Sequence, residues 1–283
     1  YIYNREEVSR DTGISTGDPE PVIAARMFLK EGPGFVKRIN GDFAIFICRP
    51  AGREAYLFRD HAGIRPLSYA VSNGSLYFSS DTRDLCRSLA AGKGPDKVWI
   101  TGLFRYIDFS RTPSNDVRRV PPGHYLEFSR ERTRLTRFWN PERIRTDRKM
   151  DYDRMVSDLR MLFEDAVAIR CDGRFTAGAH VSSGLDSALV AALARRGFSS
   201  QPSFCGYSWS PAVFSAGEIP YDERDLVRSL CTATGISPVF SGITRERFLE
   251  SLGRFFYNGG FYIEEYLAEQ ASSCGTNLVF SGW

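Results

Sequence analysis

The sequence predicts two domains of different class: an α+β domain built on antiparallel strands, then an α/β domain built on a parallel sheet. Three observations carry this. Short strands follow one another between residues 42 and 79, with Asn73-Gly74 between two of them as a strong hairpin turn. From about residue 147 the period changes and strands alternate with amphipathic helices, the pattern of βαβ units. The 283 residues suffice for two domains of ordinary size. The boundary is set between residues 146 and 147.

In the first domain, residues 1–3 read as a strand. Asp18 to Lys30 carries an apolar helical face (Val22, Ile23, Met27, Phe28), and Pro19 and Glu20 suit its first turn. Asp18, just before that helix, has the chemistry of an N-cap. Strands are predicted at 42–48, 55–59, 67–70 and 75–79, a short helix at 81–89, and strands at 124–128 and 134–139. Neither His61 nor His124 belongs to an i,i+4 pair or a ligand cluster, so no zinc site is expected.

In the second domain, residues 151–170 place Met155, Leu159, Leu162, Phe163, Ala166 and Val167 on one helical face. An apolar strand, 177–181, then runs into the turn His180-Val181-Ser182-Ser183-Gly184-Leu185-Asp186-Ser187. A helix follows at 188–196, closed by Gly197. Further strands are predicted at 203–207, 237–240 and 278–280, with helices at 222–234, from about 244, and at 263–273. The stretch 208–221, with Trp209, Pro211 and Pro220, reads as a loop. Ligands in such sheets bind beyond the carboxyl ends of the strands, which gathers 182–187, Gly206-Tyr207 and Ser281-Gly282 on one rim.

The Ser182–Ser187 turn is the centre of the chemistry. A strand, a turn of small residues and a helix N-terminus make an anion site, and the helix dipole adds to it. Gly184 lets backbone approach a ligand, and a carboxylate there, Asp186, suits Mg²⁺. No Gly-Lys-Ser/Thr closes the turn as in a Walker A loop, and its single glycine excludes a dinucleotide fingerprint. His180 stands where a nucleophile elbow needs glycine. An ordinary turn in which Ser and Asp cap the helix remains open at this point. The acidic run Asp222-Glu223-Arg224-Asp225 could contact an acid substrate but reads better as a helix first turn, and Glu264-Glu265 reads as a helix surface.

The net charge of +3 is too small to argue for nucleic acid or an acidic membrane, and the basic cluster at 130–149 is interleaved with acids. No run of 18 apolar residues suggests a membrane span, and no signal peptide is legible. The six cysteines (48, 86, 171, 205, 231, 274) are scattered with no CxxC pair, which fits a reducing cytoplasm. The chain opens on Tyr1 inside a strand pattern and stops at Trp283 just after one, so it reads as a piece of a longer protein.

Residues 182–187 resemble the pyrophosphate loop Ser-Gly-Gly-(Leu/Val)-Asp-Ser of the ATP pyrophosphatase superfamily, in particular of asparagine synthetase-like enzymes, with Ser183 at the first glycine. The first half resembles class II, N-terminal-nucleophile glutamine amidotransferase domains. Tyr1 to Asn4 looks like the end of Asn-Gly-Glu-Ile-Tyr-Asn, and Thr16-Gly17-Asp18-x-Glu20 like Gly-Ser-Asp-x-Glu. Residues 40–44 resemble Leu-x-Gly-x-Phe-Ala, and Arg59 to Leu67 closely matches Arg-Asp-x-x-Gly-x-(Lys/Arg)-Pro-Leu.

The resemblance implies that residues 1–146 form an amidotransferase domain lacking its nucleophile segment, and 147–283 an ATP-binding synthetase domain cut at its C-terminus. The family's cysteine nucleophile and oxyanion Asn-Gly fall before Tyr1, none of the six cysteines matches the nucleophile, and Tyr1 replaces the family's glutamate. Asp18 would hold the amino group of glutamine. Ser182, Ser183, Gly184, Asp186 and Ser187 would hold the ATP phosphates, with Asp186 at Mg²⁺ and Val181 and Gly206 near the adenine. Ser281-Gly282 would begin the Ser-Gly-x-Gly-(Ser/Gly)-Asp-Glu loop, with Trp283 at its variable position.

The implied reaction activates a carboxylate, aspartate in the housekeeping enzyme, as an acyl-adenylate and amidates it with glutamine-derived ammonia. The implied partners are small molecules: glutamine, aspartate or another carboxylic acid, a peptide among the candidates. Neither nucleic acid nor a membrane is implied, and a homodimer is compatible. The alternatives are a relative that forms amides without glutaminase, of the lasso-peptide macrolactam or β-lactam synthetase kind, and a non-catalytic nucleotide-binding relic.

Overall fold

The computed structural model describes residues 1–89, 94–102, 108–213, 221–258 and 262–282. The chain divides into two compact units, Tyr1–Thr146 and Asp147–Trp283.

The first unit begins with α1 (Arg5–Thr12) and α2 (Glu20–Glu31). The predicted strand at residues 1–3 is a single antiparallel bridge, Ile2 to Gly41. A Cβ on Gly41 would overlap the Tyr1 carbonyl, so glycine is what permits that approach. Next come β1 (Ala44–Arg49), β2 (Glu54–Arg59), β3 (Ser68–Ser72), β4 (Ser75–Ser79), α3 (Thr82–Ser88), α4 (Lys97–Gly102), β5 (Arg118–Arg119), β6 (His124–Phe128) and β7 (Thr133–Arg137). Two antiparallel sheets result, ordered β1-β2-β6-β7 and β4-β3-β5. Asn73 and Gly74 both have positive φ (50° and 71°), as the tight hairpin turn between β3 and β4 requires. Ile23, Met27 and Phe28 of α2 pack with Phe35, Val36 and Phe58 to make the core.

The second unit holds α5 (Tyr152–Ala168), β8 (Ala177–His180), α6 (Leu185–Gly197), β9 (Cys205–Pro211), α7 (Arg224–Thr234), β10 (Ser237–Ser241), α8 (Arg245–Asn258), α9 (Tyr262–Ser273) and β11 (Leu278–Phe280). Its strands are all parallel, ordered β10-β9-β8-β11. Alternate strand residues divide between two cores. Ala177, Ala179 and Phe280 pack with Ala191, Ala194, Val227 and Cys231 from α6 and α7. Tyr207, Val239 and Val279 pack with Leu267 and Ala271 from α9. Both faces of the sheet are therefore covered, which fits β11, where Leu278, Val279 and Phe280 are all apolar.

Three expectations change. First, α6 begins at Leu185 rather than at 188, so the turn is shorter and Asp186 and Ser187 belong to the helix's first turn. Second, β9 runs to Pro211, so the stretch read as a loop opens as a strand; its residues 214–220, including Pro220, lie outside the described residues, as does Trp283. Third, of the apolar face expected on α5 only Val167 is buried: α6 packs against the helix, but Met155, Leu159, Leu162 and Phe163 stay exposed.

Candidate functional site

Each parallel strand of the second unit delivers its carboxyl end to the same edge, and a cavity of about 220 Å³ lies there. It is lined by His180 and Val181 from the end of β8, and by Ser182, Gly184, Asp186 and Ser187 from the turn and first turn of α6. Tyr207 and Trp209 of β9, Glu223 and Gly282 complete it. The order follows from a βαβ unit: each connection crosses the sheet, so the turn after each strand sits on one rim.

The N-terminus of α6 is open. Its cap position is Gly184, in extended backbone, and no side chain caps it. Capping by Ser or Asp is thereby corrected. The first intrahelical bond runs from Ala188 N to Gly184 O, so the amides of Leu185, Asp186 and Ser187 lack intrahelical acceptors at the dipole's positive end. The serines are bonded among themselves. Ser187 Oγ donates to Gly184 O (3.1 Å), lies 2.7 Å from Ser182 Oγ, and Ser182 Oγ accepts from Gly184 N (3.1 Å).

Gly282 lies against this turn so closely that a Cβ would stand 2.9 Å from Ser187 N and 3.0 Å from Asp186 C. Ser183, Gly206 and Ser281 are absent from the lining. A Cβ on Gly206 would meet Val181 and Ile236 side chains at 2.8–3.0 Å, so Gly206 supports the floor that Val181 provides.

Glu223, which the sequence reads as part of a helix first turn, lines the cavity. One carboxylate oxygen accepts from both Ser183 N (2.8 Å) and Ser183 Oγ (2.7 Å), and the other accepts from Ser210 Oγ (3.2 Å). Its acidic neighbour Asp222 is engaged differently. Hydrogen bonds from Arg224 hold its carboxyl down to about 2. Glu264 and Glu265, expected on the surface, are half-buried on α9. Near the cavity, His180 is pushed below its usual value by burial, and its Nδ1 is buried without a hydrogen-bond partner among the described residues.

Mg²⁺ prefers hard oxygen ligands and keeps several waters. Asp186 puts a carboxylate on the cavity, which fits that donor preference, while both oxygens of Glu223 are engaged by serine donors. Among the described residues no cluster of three or more His, Cys, Asp or Glu side chains could enclose a metal unaided.

In the first unit, the Asp18 carboxylate is not an N-cap: Pro19 takes the cap position of α2, and Asp18 Oδ2 accepts from Arg26 Nη1 at 2.6 Å. The Arg59–Leu67 segment forms a bonded turn. Arg59 donates to the carbonyls of Arg65, Gly63 and Val120, and buried Asp60 accepts from Ile64 N and Arg65 N. Burial pushes the thiols of Cys86 and Cys171 up, and that of Cys231 to about 11, the wrong direction for a nucleophile.

Family comparison matches residues 1–139 to a glutamine amidotransferase domain and residues 158–282 to asparagine synthase. The chain is 24% identical over 263 residues to asparagine synthetase (glutamine-hydrolyzing) 3 of Bacillus subtilis, covering 89% of this chain and 40% of that protein. It is 30% identical over 203 residues to amidase chyE of Penicillium rubens, covering 68% of this chain and 29% of that protein. The chain thus spans well under half the length of these relatives. Among solved structures, the glutamine phosphoribosylpyrophosphate amidotransferase from B. subtilis complexed with ADP and GMP is 14% identical, with a TM-score of 0.36, covering 99% of this chain and 59% of that one.

Proposed function

The chain belongs to the asparagine synthetase-like proteins, which join a glutamine amidotransferase domain to an asparagine synthase domain, and on that premise we propose that it is part of an ATP-dependent amide ligase. Residues 147–283 bind ATP and activate a carboxylate, aspartate in the first instance, as an acyl-adenylate with release of pyrophosphate. Residues 1–146 belong to the half that supplies ammonia from glutamine. The observation that carries this reading is the uncapped N-terminus of α6, which opens on a cavity at the carboxyl edge of a parallel sheet with Asp186 beside it.

In that cavity the amides of Leu185, Asp186 and Ser187 and the hydroxyls of Ser182 and Ser187 clamp the leaving phosphates, and preorganised donors of this kind supply much of the catalysis in such transfers. Asp186 would hold Mg²⁺, which neutralises phosphate charge when bound. Val181 and Trp209 give the cavity its apolar wall. The six free cysteines fit a cytoplasmic protein.

A second reading keeps the adenylation and drops the glutamine step. Asp18, which would receive the glutamine amino group, is neutralised by Arg26 at 2.6 Å, and Tyr1 stands at the family's glutamate position.

The test is pyrophosphate release from ATP and Mg²⁺ by the protein expressed from its natural reading frame. Aspartate and other carboxylic acids are supplied in turn, with glutamine or ammonium as nitrogen donor. Aspartate-dependent release with glutamine as the donor supports the first reading. Activity with ammonium alone, or with an acid carrying its own amine, moves the assignment to the second. No release with any acid sinks both.

A further inference from the structure

The geometry points to Glu223 as a positioning residue for the phosphate-binding turn, acting through Ser183 rather than on the phosphates. The inference rests on the reading of the cavity as an ATP site and goes beyond it by assigning a residue that the turn itself does not contain.

Ser183 sits in the middle of the turn, yet Ser182, Gly184, Asp186 and Ser187 line the cavity and Ser183 does not. Its side chain is accounted for: the hydroxyl and the backbone amide both donate to Glu223 Oε2, at 2.7 and 2.8 Å. A serine at this point adds a Cβ and a hydroxyl to a cradle that works by close backbone approach. The bonds to Glu223 draw that bulk out of the cradle. The other oxygen of Glu223 accepts from Ser210, so one carboxylate joins the β8–α6 turn, strand β9 and the start of α7.

The placement has an electrostatic cost, since Glu223 also lines the cavity and faces any incoming phosphate. The cavity is open to solvent, which screens that repulsion, whereas the two bonds Glu223 accepts from Ser183 are charge-assisted and short. Positioning therefore outweighs repulsion. Glutamine is the informative replacement: its amide oxygen can accept both Ser183 bonds without the charge.

The experiment measures ATP–Mg²⁺ affinity and steady-state kinetics for the wild type, Glu223→Ala and Glu223→Gln. Glu223→Ala is expected to weaken ATP binding about tenfold, the loss of roughly one charge-assisted hydrogen bond. KM for ATP should rise more than kcat falls. Glu223→Gln should recover most of that loss. Wild-type affinity in Glu223→Ala overturns the inference. So does a loss in Glu223→Gln as large as in the alanine variant, because the charge, not the geometry, would then be what matters.

Hydrogen exchange at residues 182–187 without nucleotide gives a readout that does not depend on ATP. Exchange should be faster in Glu223→Ala and close to wild type in Glu223→Gln. If wild-type protein binds no ATP, the functional reading fails and this exchange pattern alone decides the positioning role. Should Glu223→Ala not fold, Ser210→Ala removes one anchor of the same carboxylate and is expected to show a smaller shift in the same direction; no shift would overturn the inference.

Discussion

His180 ends β8 at the cavity, and burial holds its imidazole below the usual value of 6.5. The folded protein keeps it neutral where the unfolded chain would take up a proton. Below about pH 6.5 the unfolded state binds more protons, so stability falls as pH drops from there toward the folded value, and is unaffected by this group above it. The unfolding midpoint of wild type should therefore decline between pH 7 and pH 5. His180→Gln, which does not titrate, should decline less steeply. Equal slopes would mean that the imidazole takes up its proton over the same pH range in the folded and unfolded states. Gly282 makes a sharper case. A Cβ there would stand 2.9 Å from Ser187 N and 3.1 Å from Ser187 Cα, which is helix backbone rather than the end of a flexible side chain. Gly282→Ala is expected to displace the first turn of α6 and so weaken nucleotide binding at least about tenfold, roughly 1.4 kcal/mol, while the unfolding midpoint changes little. Titration calorimetry against ATP–Mg²⁺ measures the first and a thermal melt the second.

At the scale of elements, the Arg59–Leu67 segment shows what a motif can encode. It reads as a signature, and in the structure its charged residues hold a turn. Asp60 is buried and bonds the amides of Ile64 and Arg65, while Arg59 gathers three carbonyls. Asp60→Ala leaves two amides without their acceptor and should destabilise the protein by about 2–4 kcal/mol, as breaking buried charge-assisted bonds does. Chemical denaturation would reveal it; a loss under about 0.5 kcal/mol, the scale of an ordinary surface change, would show that water replaces the carboxylate. The elements legible in the sequence were those with periodicity or turn chemistry, such as α2, the β3–β4 hairpin and β11. Helix α1 was missed because its sequence is polar and only Val8 is buried; it is held by tertiary packing rather than by an amphipathic stripe. Two-residue β5 is too short to carry a period. At the cavity, the turn 182–187 stood out in the sequence because a run of small residues lies between an apolar strand and a helix. Glu223 did not, since an acid at the start of a helix is ordinary on dipole grounds. Only the fold brings it 40 residues back along the chain to Ser183.

At the scale of the whole molecule, the change of period near residue 147 coincides with a change of architecture, from antiparallel sheets in Tyr1–Thr146 to a parallel sheet in Asp147–Trp283. Each unit has its own cores: the α2 cluster in the first, and the two flanking the parallel sheet in the second. Residues 141–150, which span the boundary at 146/147, are exposed throughout and contain Arg143, Arg145, Arg148 and Lys149. Proteases cut where backbone is exposed and locally free to open, not where a site merely matches their specificity. Other arginines among the described residues are tied down, as Arg59 is by three carbonyls and Arg224 by Asp222. Brief digestion with trypsin at low ratio should therefore cut first after one of these four residues, leaving two fragments that resist further cleavage. Mass spectrometry of the early products identifies the bond. First cuts inside β8–α6 or β1–β2 would mean that the units are less stable than their cores suggest. An uncut 141–150 segment would mean that its backbone is held closed in solution despite its exposure.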